Sequence, residues 1–414
     1  MRHPPAPNLA CFDLRALPPG FHDDPYPWYA ARRTQTPVRC MPDGSVLLTR
    51  HADCAAVYRD ARLFSSDKKS EFGAKFGPAS PLYQHHTHSL VFNDPPLHSR
   101  VRRLIAGALT LRATDAMAPE LTARVDHLLD GIAAKAARGP GSAPVDLIAD
   151  FAAAIPLQVI GNLLGLPAAQ RGPLRDWSLA ILGALEPSVD AAQLARCQHA
   201  VGEFLACLRA LVTERRAHPG DPAHDVLTRL IQGEAERGPL SEPELLHNCI
   251  FILNAGHETT TNLIGNALVA LLQWPDQRRR LFEQPGLIAD AVEEFLRFES
   301  SNQLGNRLST ADAVLGGMVL PAGTRITLCI GAANRDPAVL ADPHRLDISR
   351  QPNRHLAFGF GAHQCVGMSL PRLEGVVAIG RFLQRFPGYA LAGPAQRGGR
   401  ARFRGFFRLP LRGL

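Results

Sequence analysis

The sequence predicts a mainly α-helical fold with minor β structure, carried as one domain over residues 1–414. Three observations predict it. Ala-, Leu- and Arg-rich stretches with helical apolar spacing fill most of the chain from residue 98 to 298. Short β-like segments, broken by Gly or Pro, stand near residue 46 and again after residue 312. No internal repeat or linker divides the chain, since the turn cluster Arg138-Gly-Pro-Gly-Ser-Ala-Pro144 is too short to separate domains.

The elements follow in order. A strand at Val46 to Thr49 precedes a helix from Ala52 to Asp60. Residues 98–136, 146–165, 173–185, 190–217 and 223–237 read as helices. A long helix opens at Ser241, where Ser-Glu-Pro-Glu244 fits a capping box, and runs to about Gln273 before Pro275. Another spans about Leu287 to Phe298. Strands are expected at 313–320 and 324–329, a glycine-rich loop at 353–367, and a helix through about Arg385. Phe406-Phe-Arg-Leu-Pro-Leu411 reads as a terminal hairpin strand.

Composition narrows the function. The chain has 46% hydrophobic and 20% charged residues, so it folds rather than staying disordered. Eight cysteines without a CxxC pair indicate reduced thiols and a cytoplasmic setting. The net charge of +7 comes from scattered basic residues, which suit an acidic protein partner better than nucleic acid. Lysine occurs only at Lys68, Lys69, Lys75 and Lys135, so no GxxxxGK[ST] phosphate loop exists. The N-terminal prolines break any secretion signal, and the stretch from Thr259 to Pro275 is too short and polar to cross a membrane.

The residue that stands out is Cys365, in Phe358-Gly-Phe-Gly-Ala-His-Gln-Cys-Val-Gly367. Gly359 and Gly361 allow a tight backbone under a flat ligand, and a helix start just beyond favours thiolate. Six fixed positions, FGxGxHxCxG, are matched; chance would produce this in about one chain in 10^5 to 10^6. This is the haem-binding signature of the cytochrome P450 superfamily, which the chain resembles from end to end.

The resemblance implies that Cys365 is the axial ligand of a haem b iron, with Phe358 and Gly359 beside it. Glu294-Phe-Leu-Arg297 is similar to the family's ExxR motif, and Arg350 falls where its second arginine is expected. An i, i+3 pair shares a helix face, so carboxylate and guanidinium can meet; these three are assigned a structural role. His98 and Arg102 share a face at i, i+4, and the family uses such a pair for the haem propionates, with Arg307 and His363 as further contacts. Arg100 and Arg103 read instead as a basic face in water.

Ala255-Gly-His-Glu-Thr-Thr260 lies midway along the long helix. Gly256 costs about 1 kcal/mol there, so something packs closely against it. An acid and an alcohol in an apolar helix imply a network. By resemblance Ala255 and Gly256 border the haem, Thr259 hydrogen-bonds dioxygen at the haem, and Glu258 relays protons.

Other motifs fail. HExxH would need histidine at Thr261, and GxSxG ends in Pro371. His85, His86 and His88 lack a Cys or carboxylate at ligand spacing and are expected in a solvent-exposed loop.

The implied activity is insertion of one oxygen atom from O2 into a small or medium organic substrate. Electrons come from a separate ferredoxin- or flavodoxin-type donor with its reductase, since the haem domain uses the whole length. A peroxide-driven peroxygenase and a haem sensor are the alternatives. The substrate pocket is expected around residues 66–92 and 170–190, and at Leu90, Val91, Phe92, Asn254, Ser301, Asn302, Gln303 and Phe406. The polar run Ser300-Ser-Asn-Gln303 replaces a common proline and either binds a polar substrate group or satisfies the backbone. Pro371 either kinks its helix or lies in the first turn.

Overall fold

The computed structural model describes residue 9 and residues 12–138, 144–222, 225–233 and 238–414. Its axis is the helix Glu242–Gln273. The Ser241 hydroxyl accepts the Glu244 N–H at 3.4 Å, and the Glu244 carboxylate accepts the Ser241 N–H at 2.8 Å, which completes the capping box. This helix packs against helices Pro81–His88, Ala154–Leu163, Leu174–Gly183, Ala191–Ala217 and Ser369–Arg385. Gly256 permits a close approach of helix Ala154–Leu163. A Cβ there would stand 2.5 Å from Ile160 Cδ1, so the glycine that weakens the helix locally lets two helices meet.

The Ser369–Arg385 helix is fastened to the central helix by an aromatic cluster. Phe382 lies 5.3 Å from Phe151, 5.4 Å from Phe386 and 5.2 Å from Tyr389, ring to ring. The Tyr389 hydroxyl donates to Leu268 O on the central helix at 2.7 Å, which satisfies its only polar atom inside the core.

A five-stranded sheet flanks the helices, in the order Val38–Cys40, Val46–Leu48, Arg325–Cys329, Leu304–Ser309, Phe64–Ser65. Val46–Leu48 and Arg325–Cys329 pair in parallel; the other pairs are antiparallel. The register Arg307↔Ile326 places Arg307 in the middle of the sheet, 7% exposed.

Several expectations need correction. Residues 98–136 form three helices, Leu97–Ala108, Leu111–Ala116 and Ala118–Ala136. A five-residue π-helical turn, Ile148–Ala152, precedes Ala154–Leu163. The helix predicted over 223–237 is Val226–Gln232, with 223–224 and 234–237 outside the described residues; most of the 138–144 turn cluster lies outside them too. The terminal strands form no hairpin with each other: Phe406–Arg408 pairs with Gln396–Arg397, and Pro410–Arg412 with Val145–Asp146 and Ala390–Leu391. Pro371 is the third residue of its helix, where a backbone N–H has no partner in any case, so no kink follows. The histidines are not in an exposed loop. His85 and His86 lie in helix Pro81–His88, each 2% exposed, against the central helix at His247. Among the described residues no group of three His, Cys, Asp or Glu is placed to hold a metal ion.

Candidate active site

The Cys365 loop is shaped by backbone rather than by its sulfur. Gly359 and Gly361 take φ of 66° and 72°, the left-handed region that disfavours side chains. A Cβ at Gly361 would lie 2.3 Å from Tyr58 O, so the loop rests directly on helix His51–Arg59. The Cys365 N–H donates to Phe358 O at 2.8 Å and closes the loop. Burial pushes the Cys365 thiol up, opposed by the Gly367 N–H and by the charges of Arg102 and Arg372.

Behind the loop stands a saturated ion network. Glu294 Oε2 accepts Arg297 Nε at 2.7 Å, and Oε1 accepts Arg297 Nη2 at 2.7 Å. Arg350 Nε lies 3.2 and 3.1 Å from the same two oxygens. Arg297 also donates to Asn334 O, Pro343 O and Arg345 O. Asn334 Oδ1 in turn accepts the Leu356 N–H at 2.6 Å, at the entrance to the cysteine loop. The three residues read as structural from the sequence are therefore brought together, and they hold the loop's approach strand without facing the site.

Ala255 is exposed although it is mid-helix, and Gly256, Thr259, Phe358, Gly359 and Cys365 are each partly exposed. Their exposure is what the haem cleft implied by the family resemblance, between the central helix and the loop, would leave. Thr259 Oγ1 donates to Ala255 O at 2.6 Å, leaving its lone pairs toward the cleft. Glu258 does not share that face. It is 2% exposed, and Arg400 Nη1 donates to both its oxygens at 2.6 and 2.8 Å. Burial pushes the Glu258 carboxyl up to about 7, with Arg400 opposing. Arg400 itself is held by Leu179 O at 2.6 Å. The sequence reading missed Arg400; its position in the arginine series 397, 400, 402 and 404 was the available signal.

The four residues assigned to propionates lie in one corner of the cleft. The His98 and His363 rings are 3.9 Å apart, and His98 has Arg102, Asp94 and Arg307 among its charged neighbours. Arg102 Nη1 donates to Gln364 O at 2.7 Å, beside the cysteine. Nε2 of His98 is buried without a hydrogen-bond partner, and that of His363 lies 3.8 Å from Asp94 Oδ1. Burial, helped by His363 and Arg102, holds His98 down at about 4. A corner of two arginines and two imidazoles, with His98 Nε2 unpartnered and His363 beside Asp94, fits the carboxylates of a haem. Arg100 is partly exposed and pairs with Glu244 at 2.5 Å.

The pocket assignments divide. Val91 and Phe92 are partly exposed, with Phe92 edge-on to Phe72 at 4.9 Å, while Leu90 is 4% exposed and its N–H is held by Asn248. Asn254 is 2% exposed, with neither side-chain polar atom partnered. Phe406 is in the main core, covered by the Arg397 guanidinium at 4.0 Å. The polar run is spent on backbone: Ser300 Oγ on Leu296 O, Ser301 Oγ on Thr259 O, and Gln303 Nε2 on Ser300 O. Only Asn302 stays partly exposed, with Oδ1 unpartnered.

A second buried acid was not anticipated. Glu374, 1% exposed on helix Ser369–Arg385, faces Thr260, and burial pushes its carboxyl up to about 8. It falls on the buried stripe with Leu370, Ala378 and Phe382, a spacing that was the available signal. A carboxyl whose folded value is raised favours folding below the unfolded value, about 4.3, and this contribution is lost as pH rises through 8. Glu374→Gln is therefore expected to raise Tm at pH 8 by about 3 °C and to change it little near pH 5. Thermal melts at both pH values check this; an equal shift at both would refute the assignment.

The fold and the cysteine-lined cleft define a haem-thiolate enzyme. The chain belongs to the cytochrome P450 family: the family model described as Cytochrome P450 matches residues 186–284 and 286–388. It is 39% identical to the vitamin D(3) 25-hydroxylase of Pseudonocardia autotrophica, over 90% of this chain and 89% of that protein. Among solved structures it is similar to P450BioI in complex with acyl carrier protein carrying hexadec-9Z-enoic acid, with TM-score 0.86, 33% identity, and coverage of 94% and 98% of the two chains. It is equally similar to the myxobacterial P450 CYP267B1 in complex with myristic acid, with TM-score 0.86, 34% identity, and coverage of 96% and 98%. The protein is a cytochrome P450 monooxygenase whose cofactor is haem b.

Proposed function

We propose that residues 1–414 act as one haem-thiolate domain that hydroxylates, or otherwise oxidises, a small or medium organic substrate. Its electrons come from a separate ferredoxin- or flavodoxin-type donor with its reductase. What supports this reading is the family match over most of the chain, together with the partial exposure of Cys365 and Thr259 and the exposure of Ala255 on otherwise buried elements. Cys365 would hold the iron, and His98, Arg102, Arg307 and His363 the propionates. Bound haem supplies the centre at which O2 is cleaved and one oxygen atom passes to a C–H bond.

The chain's own groups then manage protons. The Thr259 hydroxyl turns from Ala255 O to donate into the cleft. Glu258, titrating near neutrality, loads from solvent when Arg400 releases it and unloads toward Thr259. Cytoplasmic action is part of the proposal. In support, the seven described cysteines are free thiols, and no described helix is long and apolar enough to cross a membrane. The fatty-acyl ligands of the two structural relatives favour an acyl or similarly elongated substrate.

Thr259→Ala tests the reading. With NAD(P)H and redox partners, reductant oxidation is expected to continue while product per NAD(P)H falls at least about tenfold, the scale of a lost proton-transfer group. If product survives unchanged with O2 and NAD(P)H, the relay is refuted; if only peroxide supports turnover, the peroxygenase alternative replaces it.

A further inference from the structure

The segments around the cleft enclose a concentration of positive charge that the ion pairs do not consume. Lys68 is 3% exposed, and its Nζ has no hydrogen-bond partner. Its one ionic neighbour, the Glu71 carboxylate at 3.2 Å, is 31% exposed and so partly screened by water. Arg307 and Arg402 are the like charges beside Lys68. Lys75 is a further like charge beside Arg402, and its Nζ is spent on Ala184 O and Glu186 O at 2.9 and 2.8 Å. Arg402 is held by backbone, through Leu185 O at 3.0 Å and Leu304 O at 2.8 Å.

The nearby acids are occupied. The Glu186 carboxylate accepts the N–H groups of Ala401, Arg402 and Phe403, and Asp94 is held by Ser65 and Ser66. Four cations thus face Glu71, Glu186 and Asp94. A buried ammonium whose neighbouring anion is partly exposed, with two guanidinium groups beside it, is incompletely compensated, and a further anion would offset that cost.

We infer that Lys68, with Arg307 and Arg402 beside it, is a carboxylate-binding site at the edge of the haem cleft. The segment carrying Lys68 lies between strand Phe64–Ser65 and helix Lys69–Phe76, and Phe72 of that helix meets Phe92 at the pocket residues. Arg307 joins it to the propionate corner. The carboxylate has two possible sources, an organic-acid substrate or a haem propionate. The inference rests on the haem-monooxygenase reading.

The experiment uses holoenzyme of the wild type, Lys68→Met and Lys68→Arg. Tetradecanoic acid and 1-tetradecanol are titrated, reading the haem spin-state change. In parallel, transfer of haem to apomyoglobin is timed for protein reconstituted with native haem and with its dimethyl ester. If the substrate supplies the carboxylate, Lys68→Met weakens acid binding at least about tenfold, leaves the alcohol unchanged, and Lys68→Arg restores it. If a propionate supplies it, Lys68→Met speeds loss of native haem severalfold but not of the ester. Should the wild type take up no acid, the haem-transfer arm decides alone.

The inference is overturned if neither arm responds to Lys68→Met while its thermal unfolding matches the wild type. It is also overturned if acid and alcohol, or haem and ester, are affected alike. Failure of the monooxygenase reading looks different: the wild type itself would then lack a thiolate-type reduced carbonyl spectrum.

Discussion

Cys365→Ala is expected to fold, to retain haem weakly, and to lose both the thiolate-type reduced carbonyl band and all detectable monooxygenation. The change removes one atom, Sγ, from a loop that does not depend on it. The loop is closed by Cys365 N–H on Phe358 O, seated on Tyr58 by Gly361, and tied to Asn334 through Leu356. The substitution should therefore alter ligation and little else. Far-UV circular dichroism should match the wild type, and the reduced carbonyl spectrum should shift to the form seen with histidine or no protein ligand. Among the other described cysteines, Cys54, Cys249 and Cys329 are fully buried in the core. A band that survives Cys365→Ala would refute the assignment of the iron ligand and the function built on it.

How much of this was legible in the sequence depends on the range of the forces involved. Local patterns were readable. The capping box at Ser241, the i, i+3 pair Glu294 and Arg297, and the His98–Arg102 face each rest on contacts within one helical turn, where spacing fixes geometry. Gly256 was readable as a packing glycine, though not its partner Ile160, which is 96 residues distant in the chain.

Partners set by tertiary folding left little trace. Arg400 reaches Glu258 across 142 residues, and Arg350 reaches Glu294 across 56; the second was found only because a family pattern places it. The histidines of helix Pro81–His88 misled because polarity was taken as exposure. Neutral imidazole is tolerated in a core, and burial holds His86 down at about 3. The Ser300–Gln303 run left two readings open. Ser300 and Gln303 satisfy the backbone after helix Ile288–Phe298 and Ser301 bonds Thr259 O, while Asn302 Oδ1 has no partner.

Glu294→Ala should have the largest effect on stability of any single change at the site's periphery. The Glu294 side chain is fully buried and accepts from Arg297 twice, from Arg350, from Asp347 N–H at 2.9 Å and from Asn353 Nδ2 at 3.1 Å. Its removal leaves the guanidinium of Arg297, with no exposure, and that of Arg350, at 9%, facing each other without an anion. Breaking a buried pair from one side costs about 3–5 kcal/mol, against a net stability of about 5–15 kcal/mol for a folded domain.

Urea unfolding of the purified variant is expected to show that loss, and haem incorporation during expression should fall with it, because Asn334 and Leu356 no longer hold the approach to the cysteine loop. Glu294→Gln keeps the shape but points an amide N–H at a cation, so it should lose nearly as much. Arg297→Lys should fare no better: one ammonium cannot reproduce a two-point contact with Glu294 while serving Asn334 O, Pro343 O and Arg345 O. If Glu294→Ala unfolds within about 1 kcal/mol of the wild type, a value typical of an exposed pair, the network is a surface ornament and not the support of the loop.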